Sequence, residues 1–77
     1  MQTIGERLRA RRSQLEITQA EAGRRAGLSR QAVNAIETEF TASPSIATVA
    51  ALAKALIVDF EWLATGEGKP PKGLDNE

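Results

Sequence analysis

Residues 18–37 read TQAEAGRRAGLSRQAVNAIE, and this stretch decides the fold. It predicts two short helices, about residues 19–26 and 30–38, on either side of a turn at Gly27. Glycine suits that turn because it adopts the left-handed backbone conformation at little cost. Ser29 is a favourable N-cap for the second helix. The stretch therefore predicts a pair of short helices joined by a tight glycine turn.

Apolar and polar residues separate on the second of these helices. Val33, Ile36 and Phe40 have the spacing of a core-facing stripe. Small residues before and after the turn let the two helices approach closely. The outer side carries Ser29, Arg30, Gln31, Asn34 and Ala35. Arginine, glutamine and asparagine have forked donors and acceptors that match guanine and adenine edges in the DNA major groove. We expect these five residues to read bases.

The rest of the chain predicts three further helices. Thr3 and Glu6 form a capping box at a first helix, about residues 4–15, and Thr18 with Glu21 repeats the pattern at the second. Past the loop 41–45, an apolar stripe predicts a fourth helix with Ser45 as its cap; the stripe is Ile46, Val49, Leu52, Ala53 and Leu56. Asp59 can cap a short fifth helix that returns apolar residues to the core, namely Phe60, Trp62 and Leu63. The predicted fold is all-α, with residues 1–66 as one domain and residues 67–77 as a flexible tail or linker.

The charge is balanced overall but unevenly distributed. The 77 residues have a net charge of zero, whereas residues 1–34 hold seven arginines against three glutamates, a net charge of +4. Such a separation can give a neutral molecule one cationic face. Four of these arginines are candidates for neutralising phosphates, although each on its own could equally belong to a solvated helix face: Arg9, Arg11, Arg24 and Arg25.

Composition argues against several classes of function. The chain has no histidine, cysteine or tyrosine, which removes the commonest nucleophiles, general bases and zinc ligands. Glu37 and Glu39 are two residues apart and point in different directions on a helix, so they form no catalytic carboxylate pair. No apolar run approaches the roughly 20 residues that a membrane-spanning helix needs. We expect a cytosolic protein that is not an enzyme and binds neither a metal nor a cofactor.

Several motifs make the chain resemble the lambda-repressor-like (Cro/CI, or XRE) helix-turn-helix DNA-binding domains. The resemblance covers about residues 3–66 and rests on Ile17-Thr18-Gln19-Ala20-Glu21, Ala26-Gly27-Leu28-Ser29, Val33, Ile36-Glu37, Pro44-Ser45, Leu52-Ala53-Lys54-Ala55-Leu56 and Trp62-Leu63. It implies a compact five-helix fold that binds double-stranded DNA as a homodimer, with its third helix in the major groove. The palindromic operator would have half-sites about one helical turn apart.

The same resemblance implies roles for individual residues. Gln19 matches a position that contacts phosphate at the start of the second helix. The base-reading positions match Arg30, Gln31, Asn34 and Ala35. Arg12 and Glu37 match two residues that form a buried ion pair in some phage repressors, which would explain an arginine on the apolar stripe of the first helix.

The chain also departs from the family pattern. Ala22-Gly23 stands where larger residues are common, so the second helix should be weaker, by about 1 kcal/mol for glycine relative to alanine. The loop at residues 38–43 offers no basic residue to DNA and adds Glu39. An alternative function is therefore a protein-interaction module of the same fold, such as an antitoxin or adaptor. Phe60, Trp62 and Leu63 are expected in the core, with a dimer contact as the alternative.

Overall fold

The computed structural model describes residues 3–40 and 44–74, and within these ranges it has five α-helices and no strand. In chain order the helices are α1 Ile4–Leu15, α2 Gln19–Ala26, α3 Arg30–Glu37, α4 Ile46–Leu56 and α5 Phe60–Thr65. The predicted all-α, five-helix fold is confirmed, and α3 ends one residue earlier than predicted. The predicted loop residues 41–43 and tail residues 75–77 lie outside the described residues. None of these five helices is long and apolar enough to cross a bilayer.

Each helix begins at a side chain that accepts a hydrogen bond from the backbone N–H three residues later. The five N-caps are Thr3, Thr18, Ser29, Ser45 and Asp59. At α1 the reciprocal hydrogen bond is also present, because Thr3 N donates to Glu6 Oε1 at 3.2 Å. Capping of this kind satisfies amides that have no partner inside the helix, which explains why the helices start where local sequence places them.

The core is formed by residues from all five helices. The buried apolar residues are Leu8, Ala22, Val33, Ile36, Val49, Leu52, Ala53, Leu56, Trp62 and Leu63. α1 packs against α3 and α5, α2 packs against α3 and α4, and α4 packs against α5. Ile46 and Phe60, which were predicted to face the core, are the first residues of α4 and α5 and are instead 77% and 41% exposed. Phe40, which was predicted to continue the apolar stripe of the third helix, is 89% exposed. The helix has already ended at Glu37, and Glu39 turns the backbone with a φ of 60°.

Two arginines of α1 bind the C-terminal ends of two other helices. Arg7 Nε donates to the Leu63 carbonyl in α5 at 3.0 Å, and Arg11 Nε donates to the Leu56 carbonyl at the end of α4 at 2.9 Å. A guanidinium in this position satisfies free carbonyl groups and is favoured by the helix dipole. Arg7 is almost wholly buried, and this burial lowers the pKa of its guanidinium, against the effect of the neighbouring Glu6 charge. These two side chains hold α4 and α5 against α1.

Gly23 lies where α2 approaches the segment that leads into α3. A Cβ at this position would lie 2.5 Å from the Leu28 carbonyl oxygen, closer than real Cβ atoms come to other atoms. The Leu28 N–H donates to the Gly23 carbonyl at 2.7 Å. The glycine thus permits the short contact that sets the turn between α2 and α3.

We expect Gly23→Ala to destabilise the protein by about 1 to 3 kcal/mol, because the added methyl must displace a backbone carbonyl that cannot rotate away. Urea unfolding followed by circular dichroism measures the change. Ala20→Gly, at an exposed position of the same helix, is the control for helix propensity and should cost about 1 kcal/mol. If Gly23→Ala instead stabilised the protein by the amount that Ala20→Gly destabilises it, helix propensity alone would explain both changes. The close approach to the Leu28 carbonyl would then not constrain the helix.

Residues 67–74, predicted as a flexible tail, lie against the domain. Gln14 Nε2 donates to the Lys72 carbonyl at 2.5 Å, and the Lys69 N–H donates to Asp59 Oδ2 at 3.3 Å. Leu74 is partly buried against the core. A single apolar residue in a polar, proline-containing segment has no periodicity, so the sequence pattern does not indicate this contact.

Candidate nucleic-acid interface

The orientation of α3 is set by the turn before it and by its own apolar stripe. Gly27 adopts a left-handed φ of 75°, and the Ser29 hydroxyl accepts a hydrogen bond from the Ala32 N–H at 3.0 Å. Val33 and Ile36 are buried in the core. These contacts leave the opposite side of α3 facing away from the protein.

That outer face carries the residues predicted to read bases. Arg30, Gln31 and Asn34 are exposed, and Ala35 is half-buried beside them. Ser29 is also exposed, although its hydroxyl oxygen already caps α3. Arg30 and Gln31 make no side-chain hydrogen bond or ion pair to any described residue, so both keep all their donors for a ligand. The five predicted residues therefore occupy one surface.

Behind this face, α3 is joined to α1 by a buried ion pair. Arg12 Nε lies 2.7 Å from Glu37 Oε2, and Arg12 Nη2 lies 2.9 Å from Glu37 Oε1, a bidentate arrangement. The Glu37 side chain is 0% exposed and that of Arg12 is 17% exposed. The hydrogen bonds to Glu37 raise the pKa of the Arg12 guanidinium, and this effect exceeds the lowering caused by burial. The pair fixes α3 relative to α1.

Gln19 connects α2 to this ion pair and to the outer face of α3. Its Nε2 donates to Glu37 Oε1 at 3.1 Å and to Asn34 Oδ1 at 3.1 Å. Its backbone N–H is one of the first amides of α2, which have no partner inside a helix. Resemblance to the family predicted Gln19 only as a phosphate contact. Its contacts with α3 join residues 15 and 18 positions apart, so no local pattern indicates them.

Arg24 and Arg25 share one acidic partner on α2. Arg24 Nε donates to Glu21 Oε1 at 2.9 Å, and Arg25 Nε donates to Glu21 Oε2 at 2.8 Å. These hydrogen bonds, that from Arg24 first, lower the pKa of Glu21 to about 2. They also explain why the second predicted capping box is only half formed. Thr18 accepts from the Glu21 N–H at 3.0 Å, but the carboxylate has turned to the arginines.

The two α1 arginines predicted to bind phosphate differ in their surroundings. Arg9 is 67% exposed at its side chain, and its Nε lies 3.8 Å from Glu37 Oε1. Arg11 instead binds the carbonyls at the end of α4 and the side chain of Gln14, which accepts from Arg11 Nη1 at 2.7 Å. The structure therefore does not bring Arg11 together with the other predicted residues.

The lowered pKa of Glu21 predicts a pH effect on stability. Because the folded-state pKa of about 2 lies below the ordinary value of 4.5, the ionised form is favoured by folding. The resulting stabilisation is complete above pH 4.5 and is lost as the pH falls toward 2. We expect Glu21→Gln to flatten the acid limb of a plot of unfolding free energy against pH, measured by urea titration. Glu61→Gln, at an exposed carboxylate of α5, is the control. If the acid limb of Glu21→Gln were the same as that of the wild-type protein and of this control, the prediction would be contradicted.

Comparison with known proteins places this geometry among DNA-binding domains. Residues 8–63 match the helix-turn-helix family model. The chain is similar to the P22 c2 repressor protein in its crystal structure with synthetic operator 9T and Tl⁺, with a TM-score of 0.79 and 39% identity over 87% of this chain and 100% of that one. It is also similar to the solution structure of the P22 c2 repressor DNA-binding domain, with a TM-score of 0.76 and 35% identity over 92% of each chain.

Proposed function

The chain belongs to the helix-turn-helix family, and from that premise we propose that it is a sequence-specific transcriptional regulator, of the phage repressor, Cro or controller type. It has the fold of a phage repressor DNA-binding domain. In our proposal it binds a palindromic operator as a homodimer, and α3 enters the major groove of each half-site. The P22 c2 repressor to which it is similar is itself bound to an operator.

The observation that carries the proposal is the outer face of α3. Arg30, Gln31 and Asn34 are exposed together on a short helix that the Arg12–Glu37 ion pair fixes from behind. A rigid helix presenting forked donors suits direct readout, since arginine pairs with guanine O6 and N7, and glutamine with adenine N6 and N7. Ala35 and Ser29 would contribute smaller contacts, the alanine methyl to a thymine methyl.

Phosphate contacts would flank this face. The first amides of α2 at Gln19 suit a phosphate oxygen, because a helix N-terminus favours an anion. Arg9 supplies an exposed cation, while Arg24 and Arg25 supply two more if phosphates displace Glu21. Arg11 does not belong to this set, because its guanidinium donates a hydrogen bond to the Leu56 carbonyl at the end of α4.

The homodimer is supported by two apolar side chains exposed around the turn between α4 and α5. Ile57 is 77% exposed and Phe60 is 41% exposed, and they are three residues apart. Trp62 and Leu63, the other candidates for a dimer contact, are in the core. A two-fold interface would bring the same pair from each protomer together. We propose this surface as the dimer contact.

Selection of bound duplexes from a random DNA library tests the function. We expect a two-fold symmetric consensus, and binding to it that weakens as salt rises. On the selected operator, Arg30→Ala should cost about 1 to 3 kcal/mol and relax specificity at one base position, as read from affinities for a series of base-substituted operators.

Arg9→Ala is the matched control for this experiment, because it removes an arginine that we assign to phosphate. It should weaken binding to operator and random duplexes alike and reduce the salt dependence by about one phosphate contact. If Arg30→Ala also lowered affinity equally for all sequences, α3 would not read bases through this residue.

A second candidate function is the protein-interaction module, and exposed apolar residues favour it. Phe40, after the end of α3, is 89% exposed, and Ile46, the first residue of α4, is 77% exposed. Glu39 is exposed beside Phe40 and would repel phosphate. A mobility-shift assay in low salt separates the two functions, because a module that binds only protein retards no duplex.

A further inference from the structure

Four side chains from α1, α2 and α3 form a continuous chain of hydrogen bonds that ends at the candidate base-reading face. Arg12 binds Glu37, Glu37 accepts from Gln19, and Gln19 donates to Asn34. Arg12 and Glu37 carry fixed opposite charges, whereas the two amides could in principle face either way. The order of donors and acceptors along this chain determines how each amide is oriented.

The carboxylate of Glu37 decides the first amide. An ionised carboxylate can only accept hydrogen bonds, so Gln19 must present its NH₂ group to Glu37. This contact measures 3.1 Å, and the reversed amide would place an oxygen against a buried negative charge. Arg12 holds the carboxylate by both oxygens, which prevents it from rotating away. The orientation of Gln19 therefore follows from the charge of Glu37.

Gln19 in turn decides the orientation of Asn34. The second hydrogen of Gln19 Nε2 is directed at Asn34, again at 3.1 Å, so Asn34 must offer its oxygen on that side. Its NH₂ group is then left for the outside of the helix, where Asn34 is exposed. A free asparagine can turn either its oxygen or its NH₂ group toward a base, but the hydrogen bond from Gln19 holds the oxygen of Asn34 inward and turns its NH₂ group outward.

We infer that Gln19 is a positioning residue: it makes Asn34 act as a hydrogen-bond donor toward its base pair. Gln19 therefore selects guanine over adenine at that position of the operator. Guanine presents two acceptors in the major groove, N7 and O6, whereas adenine presents N7 beside the N6 donor. Cytosine presents its N4 donor, which the NH₂ group cannot pair with. The inference rests on the proposed function and adds base preference at one position.

The experiment compares operators that differ at one base pair, using the full chain and three variants. Asn34→Ala first identifies the position, because discrimination there should disappear. At this position the wild-type protein should bind guanine about five- to a hundredfold more tightly than adenine. Gln19→Met, which keeps the side-chain length but cannot donate, should reduce that ratio to near one while other positions keep theirs. Asn34→Asp should shift the preference toward cytosine, since a carboxylate only accepts.

A measurement without DNA tests the orientation separately. In the free protein, the side-chain amide protons of Gln19 should exchange with solvent more slowly than those of Gln31, which has no partner among the described residues. Equal exchange rates, a wild-type preference for adenine, or an unchanged ratio in Gln19→Met would each overturn the inference while leaving the proposed function intact. Failure of every duplex to bind selectively would instead overturn the proposed function, and the preference for guanine with it.

Discussion

Arg12→Ala is expected to lower the free energy of unfolding by about 3 to 5 kcal/mol, because it removes the bidentate partner of a buried carboxylate. The other cation near Glu37 is the exposed Arg9, whose Nε lies 3.8 Å from Glu37 Oε1. The Glu37 side chain is 0% exposed and accepts hydrogen bonds from Arg12 at 2.7 and 2.9 Å. Gln19 would remain as a donor, but a neutral amide does not compensate for the lost charge. At about 0.05 to 0.15 kcal/mol per residue, a domain of this size is stable by only about 4 to 12 kcal/mol. The variant should therefore be marginally folded, as measured by urea or thermal unfolding with circular dichroism.

The control removes both charges together. The double variant Arg12→Met with Glu37→Leu replaces the pair by apolar side chains of similar length and should stay within about 1 to 2 kcal/mol of the wild-type stability. The same double variant should lose the guanine preference at Asn34, because Gln19 no longer faces a carboxylate. A cost below about 1 kcal/mol for Arg12→Ala would mean that water or another cation reaches Glu37.

Trp62→Ala is expected to lower the free energy of unfolding by about 3 to 5 kcal/mol, since it removes the largest side chain of the core. Trp62 is 4% exposed, and it anchors α5 together with Leu63. α5 has only six residues, too few for a helix to be stable without tertiary packing. The void would thus be accompanied by loosening of α5 and of the segment after it. Urea unfolding followed by far-ultraviolet circular dichroism measures the loss.

Phe60→Ala is the matched control, because it removes another aromatic ring from the same helix. Phe60 is 41% exposed, so the variant should lose about 1 kcal/mol or less of monomer stability. Under the proposed dimer contact, it should instead weaken self-association, measured by sedimentation equilibrium. Equal destabilisation by the two substitutions would show that Trp62 does not dominate this part of the core.

The helix boundaries could be predicted because the signals that start and stop helices are local. Thr3, Ser29 and Ser45 each bind an amide three residues away, and Gly27 needs nothing beyond its own conformational freedom. The separation of faces on α3 follows from a period of 3.6 residues, which the spacing of Val33 and Ile36 expresses. Phe40 had the same spacing, but periodicity does not specify where a helix ends.

The partners of the charged residues could not be read from any pattern. Four arginines in the first half of the chain were predicted to bind phosphate, yet one of them, Arg11, binds a helix end that lies 45 residues away along the chain. Arg7, which has a similar local sequence, binds another helix end 56 residues away. The ion pair of Arg12 with Glu37 was indicated by resemblance to a family and not by spacing. A cation on a helix surface has the same local sequence whether it meets solvent, phosphate or another helix.

The sequence by itself determined the number of helices, their order and the face of α3 that carries Arg30, Gln31 and Asn34. These features depend on contacts within about four residues and on the burial of apolar stripes. Only the tertiary structure decided which arginines remain available, why Gly23 is required, and that Gln19 orients Asn34. Those outcomes depend on distances between groups far apart in the chain, which exist only once the helices have packed against one another.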